Sequence, residues 1–385
     1  MDPRKFSKSS AGKCLNTLQG YCAFLPNPLP PSISYDGKLV HLLDQASRLL
    51  GELSGTGRLL RNPHLLISPY IRREAVSSSR IEGTQASLSD LFFFEAAESE
   101  DPEVPDVKEV RNYVRAMEHG ISLQGKLPVS IRLVKEIHGV LMTGVRGEHA
   151  APGELRKIQT WIGPKGCSLH EATYVPPPVP EMKQALQEWE KYYHSEPAEP
   201  PLIQCALMHY QFEAIHPFLD GNGRIGRLLI TFLLCEKQCL SQPLLYLSAF
   251  FERNREEYYD TLLRVSQKGE WRGWIEFFLR GVAVQAKDAL SDATRILILH
   301  DLYNAMLSGT KHLPQTAPRL VDEIFSRPVI SISKISREWE VPFRAVQRGV
   351  DRLVQIGLLR EVTDRKRNRL FVASDLLDAL NRPTN

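Results

Sequence analysis

At 385 residues the chain is too long for one small module and points to two or three domains, since compact domains run to about 100–200 residues. Apolar residues make up 43% of it and charged residues 24%, with 48 Lys and Arg against 45 Asp and Glu, which excludes wholesale disorder and fits a packed globular protein. A net charge of +3 is too small to make nucleic acid or an acidic membrane the partner of the whole surface, so any basic patch must be local.

Residues 1–34 read as a proline-rich arm, with 23–35 (AFLPNPLPPSISY) extended because proline fixes φ and removes backbone donors. The leading MDPRKFSKSSAGK lacks the apolar core of a signal peptide, and no apolar run approaches the roughly 18–20 residues of a membrane span. A cytoplasmic protein without a membrane partner is the expectation. Six cysteines are too sparse to staple such a chain and read as free thiols. From residue 35 the apolar positions recur at helical spacing over 38–54, 107–122, 129–143, 180–194, 201–214, 223–237, 254–267 and 271–308. The fold class is therefore mainly α, with an N-terminal helical region over 35–112 and a larger helical body over 113–310.

Within this body 155–176 (LRKIQTWIGPKGCSLHEATYVP) breaks the period. Runs with Ile, Thr, Trp, Tyr and Val flank a Gly-Pro-Lys-Gly turn, the composition of a β-hairpin. Residues 316–385 read as a separate α+β unit, with short helices over 331–339 and 342–355 and then LLREV and RLFVAS around a polar tip. That is the element order of a winged helix-turn-helix.

The chemistry concentrates at 216–227, His-Pro-Phe-Leu-Asp-Gly-Asn-Gly-Arg-Ile-Gly-Arg. Pro217 stops one helix, Gly221-Asn222-Gly223 supplies a tight turn with bare backbone, and a second helix starts there, presenting free N–H groups and a positive dipole end to an anion. Arg224 and Arg227, three apart on one side of that helix, suit a polyphosphate. His216 can take a proton and Asp220 can hold Mg²⁺ beside the same turn. Upstream, Ser78-Ser-Arg-Ile-Glu82-Gly83 sets Ser78 and Glu82 on one helix face with Gly83 able to end the helix.

HPFLDGNGRIGR matches the signature His-x-Phe-x-(Asp/Glu)-Gly-Asn-Gly-Arg-x-x-Arg at every fixed position, and over most of 35–280 the chain resembles the Fic-domain (Fido) family. The resemblance implies a Fic/Fido helical bundle with a small β-hairpin flap and an appended winged helix. It implies a protein adenylyltransferase moving AMP from ATP, with Mg²⁺, to a Ser, Thr or Tyr hydroxyl of a protein, this chain among the candidates, and releasing pyrophosphate. On that likeness His216 is the general base, Asp220 the Mg²⁺ ligand and Phe218 an inward anchor. Asn222 and the Gly221 and Gly223 backbone cradle the phosphates, Arg224 meets the α/β-phosphates and Arg227 the γ-phosphate, with Ile225 and Gly226 completing the nucleotide segment. Ile162 and Gly163 of the flap lie near the nucleotide, and Tyr258 and Tyr259 line its adenine side. Ser78, Glu82 and Gly83 fit the class II inhibitory pattern (Ser/Thr)-x-x-x-Glu-(Gly/Asn), in which Glu82 pairs with Arg227 and takes the place of the γ-phosphate. Relatives with Lys at the position of Gly223 act as kinases, so the glycine argues for AMP transfer.

From 316 to 385 there are 13 Lys and Arg against 9 Asp and Glu, a net of +4, while the rest sums to −1. Arg344 and Arg348 on the second helix and Arg365, Lys366 and Arg367 at the hairpin tip are the footprint of duplex DNA binding, though protein docking fits such a unit as well. A second copy of the chain is a further candidate partner. Two other functions stay open: a de-AMPylating phosphodiesterase using the same site, and a DNA-binding regulator whose Fic body senses nucleotide.

Overall fold

The computed structural model describes residues 1–60, 62–97, 106–144, 151–196, 199–363 and 368–381. Arg365, Lys366 and Arg367 lie outside the described residues. The first 34 residues hold more than an arm. β1 (Gly12–Asn16) and β2 (Cys22–Pro26) pair antiparallel, from Gly12 opposite Pro26 to Asn16 opposite Cys22. Phe24 is fully buried, packs on Phe6 and Tyr174, and donates its N–H to the Val175 carbonyl at 2.8 Å. The strands are short and the second ends at Pro26, which hides them in composition.

The body is helical: α1 (Gly37–Leu59), α2 (His64–Ile81), α3 (Leu88–Ala96), α4 (Val107–Leu123), α5 (Ile131–Met142), α6 (Val179–His194), α7 (Pro201–Ile215), α8 (Asn222–Glu236), α9 (Ser248–Arg253), α10 (Arg255–Lys268) and the long α11 (Trp271–Ser308). Side-chain caps start several of them, Asp36 for α1, Ser87 with Asp90 for α3 and Ser130 for α5. α1 lies along α11, α4 against α5, and α7 against α8. The α7–α8 pair runs through the centre, apolar on nearly every face of α7, so the loop between them is held from both sides by core. Among the described residues no helix is long and apolar enough to cross a membrane, and all six cysteines are free.

The C-terminal unit follows as α12 (Ala317–Ser326), β3 (Val329–Ser331), α13 (Ile332–Trp339), α14 (Phe343–Gln355), β4 (Arg360–Glu361), β5 (Leu370–Val372) and α15 (Ser374–Asn381), with antiparallel sheet order β3-β5-β4. It packs directly on α2. Ser68 donates its hydroxyl to the Ser326 carbonyl at 3.0 Å. Arg72 pairs with Glu95 at 2.6 Å, and Lys334 of α13 bonds the Glu95 carbonyl. On the next residue, Arg73 meets Asp292 of α11 at 2.5 Å, and Asp292 also holds Arg295, which reaches the Ala379 carbonyl at 3.1 Å.

Candidate active site

α7 ends at Ile215 because His216 turns left-handed, φ 50° and ψ 63°, and Pro217 cannot continue the helix. The loop then closes on itself. The Asn222 side chain accepts from the Phe218 N–H and donates to the Phe218 carbonyl, both at 2.9 Å. The Asn222 carboxamide thus clamps the turn across Phe218. Gly221, at φ 78°, starts α8, and a Cβ there would meet Met142 Sδ at 3.0 Å.

Two side chains without a sequence signature brace this turn. His138 of α5 stacks on the buried Phe218 and bonds the Asp220 carbonyl at 3.1 Å through Nε2. Arg156, almost wholly buried, donates to the carbonyls of His216 at 2.9 Å, Ile158 at 3.3 Å and Pro177. Burial among carbonyls pulls its guanidinium down to about 10.

Burial, with the nearby Arg156 charge adding to it, pulls the His216 imidazole down to about 4, so the ring is neutral at pH 7 and free to accept a proton. Asp220 stands at the exposed mouth of the loop, and both protein contacts of its carboxylate, the Gly221 N–H at 2.6 Å and Arg224 at 3.6 Å, fall on Oδ1. Among the described residues no cluster of three or more His, Cys, Asp or Glu could hold a metal unaided.

Arg224 and Arg227 form the basic wall. Arg224 is turned toward Glu109 at 3.4 Å, and its Nε is buried without a partner. Arg227 is held by three bonds: Nε with Ser78 Oγ at 2.9 Å, Nη2 with the Ser78 carbonyl at 2.9 Å and with Glu82 Oε1 at 2.6 Å. The last turn of α2 thus delivers Ser78 and Glu82 to one guanidinium. Burial works against the Glu82 anion, but Arg227 outweighs it and holds the carboxyl below its usual range. Gly223 permits the pairing, since a Cβ there would lie 2.4 Å from Glu82 Oε1 and 2.9 Å from Arg227 Nη1.

A cavity of about 590 Å³ opens in front of this wall, lined by the loop, Glu82, Glu213, Ile162, Gly163 and Tyr259 among others. The expected hairpin contracts to one bridge, Ile162 with Tyr174, joined by N–H···O bonds of 2.8 and 3.0 Å. Pro164 and the Pro176–Pro178 run lack donors, and a short helical turn over Leu169–Glu171 takes up the chain between, so no ladder extends. The two tyrosines part company. Tyr259 lines the cavity beside Arg255, whereas Tyr258 is buried behind the wall, bonded to His209 at 2.8 Å and stacked on Phe251. Tyr258 is therefore a core residue, not a lining one.

The Fic/DOC family N-terminal model matches residues 40–122 and the Fic/DOC family model residues 128–234. The protein adenylyltransferase Fic of Drosophila grimshawi is 29% identical and that of Drosophila melanogaster 28% identical over 202 residues, 52% of this chain but 35% and 34% of theirs. The chain thus spans about a third of the length of the curated relatives it matches. A Fic family protein from Desulfovibrio desulfuricans G20 shares the fold with a TM-score of 0.57 at 17% identity, over 90% of this chain and 98% of that one. Fic-1 (residues 134–508) from C. elegans does so with a TM-score of 0.51 at 19% identity, over 67% and 75%. With the two family segments matched in sequence order and the signature loop folded between two buried helices above a cavity, residues 40–234 of the chain carry the Fic/DOC family's N-terminal segment and its signature segment.

Proposed function

We propose that this chain is a protein adenylyltransferase held in check by its own α2. The observation that carries the reading is Glu82 seated on Arg227 inside the cavity of the signature loop, where the terminal phosphate of ATP would otherwise find its cation. The free N–H groups at the start of α8 and the half-satisfied Arg224 receive the remaining phosphates. A target segment lies along the Ile162 edge, and His216 takes the proton of its Ser, Thr or Tyr hydroxyl. The oxygen then bonds to the α-phosphorus, the bond to the β-phosphate oxygen breaks, and pyrophosphate leaves, with charge stabilisation as the main contribution. The exposed Asp220 carboxylate, contacted by protein at one oxygen only, fits a hard cation that keeps waters and phosphates as its other ligands. Bound there, Mg²⁺ would neutralise phosphate charge.

The C-terminal unit we read as a winged helix, with the exposed Arg344 and Arg348 of α14 offered to duplex DNA.

The test of the activity is label transfer from α-phosphate-labelled ATP with Mg²⁺ in cell lysate, using wild type, Glu82→Gly, and Glu82→Gly with His216→Ala. Label on this chain or a lysate protein with Glu82→Gly alone supports the reading. No label with any of the three sinks it and turns attention to AMP removal, assayed on pre-modified protein.

A further inference from the structure

Beside Glu82 and Asp220 the cavity holds a third carboxyl, which the transfer scheme leaves unused. Glu213 sits one turn before His216 on α7 and shares the cavity with Glu82, Arg227 and Tyr259. Its Oε1 is shut off from solvent and has no hydrogen-bond partner. The backbone of α8 is the reason: a Cβ on Gly226 would lie 2.2 Å from that oxygen, so the carboxyl rests against a bare Cα. An ionised carboxylate needs donors at both oxygens, and this seat supplies none to Oε1. A carboxylic acid needs only one acceptor for its O–H.

Charged and titratable groups face Glu213 from each neighbouring element. α8 presents Arg227, which favours the anion, and the end of α2 presents Glu82, which opposes it. α10 presents Tyr258 and Tyr259, and α7 itself presents His209, kept neutral by burial. Burial is the largest influence and brings the Glu213 carboxyl up to about 7. Glu82 and Glu213 thus share one cation. A triphosphate that displaces Glu82 brings more negative charge to the same guanidinium and tips Glu213 toward its acid form.

We propose that Glu213 reads the nucleotide as a carboxylic acid, taking up one proton from solvent when a nucleoside triphosphate enters and donating it in a hydrogen bond to an oxygen of that ligand. The inference rests on the adenylyltransferase reading of the cavity. The proton stays on the carboxyl, no bond of the nucleotide breaks, and His216 keeps its separate task.

Titration calorimetry of the full chain with Mg²⁺ and α,β-methylene ATP, which cannot transfer AMP, tests it in two buffers of different ionisation enthalpy at pH 7.5. Wild type should take up about half a proton or more beyond Glu213→Gln, in which the ligand's own titration is the same. Between pH 6 and 8.5 wild-type affinity should fall about tenfold relative to that variant. Equal proton counts with binding intact overturn this inference and leave the nucleotide reading standing, whereas no binding by either protein overturns both. Should Glu213→Gln not fold, wild type alone decides: uptake must vanish at pH 5.5, where Glu213 already carries its proton, and equal uptake at pH 5.5 and 7.5 overturns the proposal.

Discussion

His138 and Phe218 lie face to face, their ring centroids 3.7 Å apart and their planes within 5°. The Gly153 N–H points at His138 Nδ1 from 2.9 Å, so that nitrogen is bare and the proton sits on Nε2, donated to the Asp220 carbonyl. One ring therefore fixes both the anchor of the signature loop and the backbone beside its carboxylate. His138→Phe keeps the stack and deletes both hydrogen bonds, leaving two polar groups unpaired. It should lower stability by about 1–3 kcal/mol in thermal or denaturant melts, and slow label transfer in the Glu82→Gly background by about tenfold through misplacement of the loop.

Ser78→Ala removes one of the three bonds to Arg227 while the Ser78 carbonyl and Glu82 remain. Partial release is the expected outcome. The loss of about 1 kcal/mol from the inhibitory contact corresponds to roughly a fivefold rise in basal transfer, well short of Glu82→Gly. A rate equal to wild type would mean that the Oγ contact contributes nothing to inhibition.

Acid should unfold the protein through its buried imidazoles. Burial holds His138 and His216 down at about 4 and His209 at about 3, against 6.5 when unfolded. The unfolded chain then binds more protons than the folded one below pH 6.5, so the stabilisation is complete above that pH and is lost as pH falls toward 4. Each histidine contributes up to about 1.4 kcal/mol per pH unit in that window. Melting temperature should drop steeply from pH 6.5 to 4.5 and less steeply in His138→Phe. A flat profile for wild type would contradict the assignment.

If α14 meets duplex DNA, Arg344→Ala with Arg348→Ala should weaken binding and reduce the slope of log affinity against log salt by about two. The same double variant should leave label transfer by Glu82→Gly unchanged, since neither residue lines the cavity. Fluorescence anisotropy with a labelled duplex over a salt series measures this. An unaltered slope would assign α14 to other work.

The helices with an apolar stripe were legible in the sequence: 38–54, 180–194 and 271–308 appear as α1, α6 and α11 with ends shifted by a few residues at most. Of α2 only the end at Ser78–Gly83 was legible, because the helix buries Arg72, Glu74, Ser78 and Ser79 along with its apolar residues and so shows no stripe. The signature loop was legible because its residues are contiguous. Arg156, His138 and Glu213 reach it from separate elements, and single residues of common type carry no pattern. Tyr258 and Tyr259 are adjacent, and only the rotation of α10 decides which one meets the cavity.

The anchorage of α2 has a kinetic corollary. Ser68, Arg72 and Arg73 tie the helix to α12, α3 and α11, so it cannot swing off Arg227 as a unit without breaking all three ties. Release of Arg227 is therefore left to the Glu82 side chain at the final turn, where Glu82 and Thr84 both bond back to the Ser79 carbonyl and Gly83 takes φ 101°. Rotation of one side chain on a fixed strut is a picosecond-to-nanosecond event, against microseconds or longer for a moving helix. Exchange between Glu82 and an incoming phosphate is then fast compared with turnover, and the uninhibited fraction follows the relative affinities of the two anions for Arg227 rather than any rate of opening.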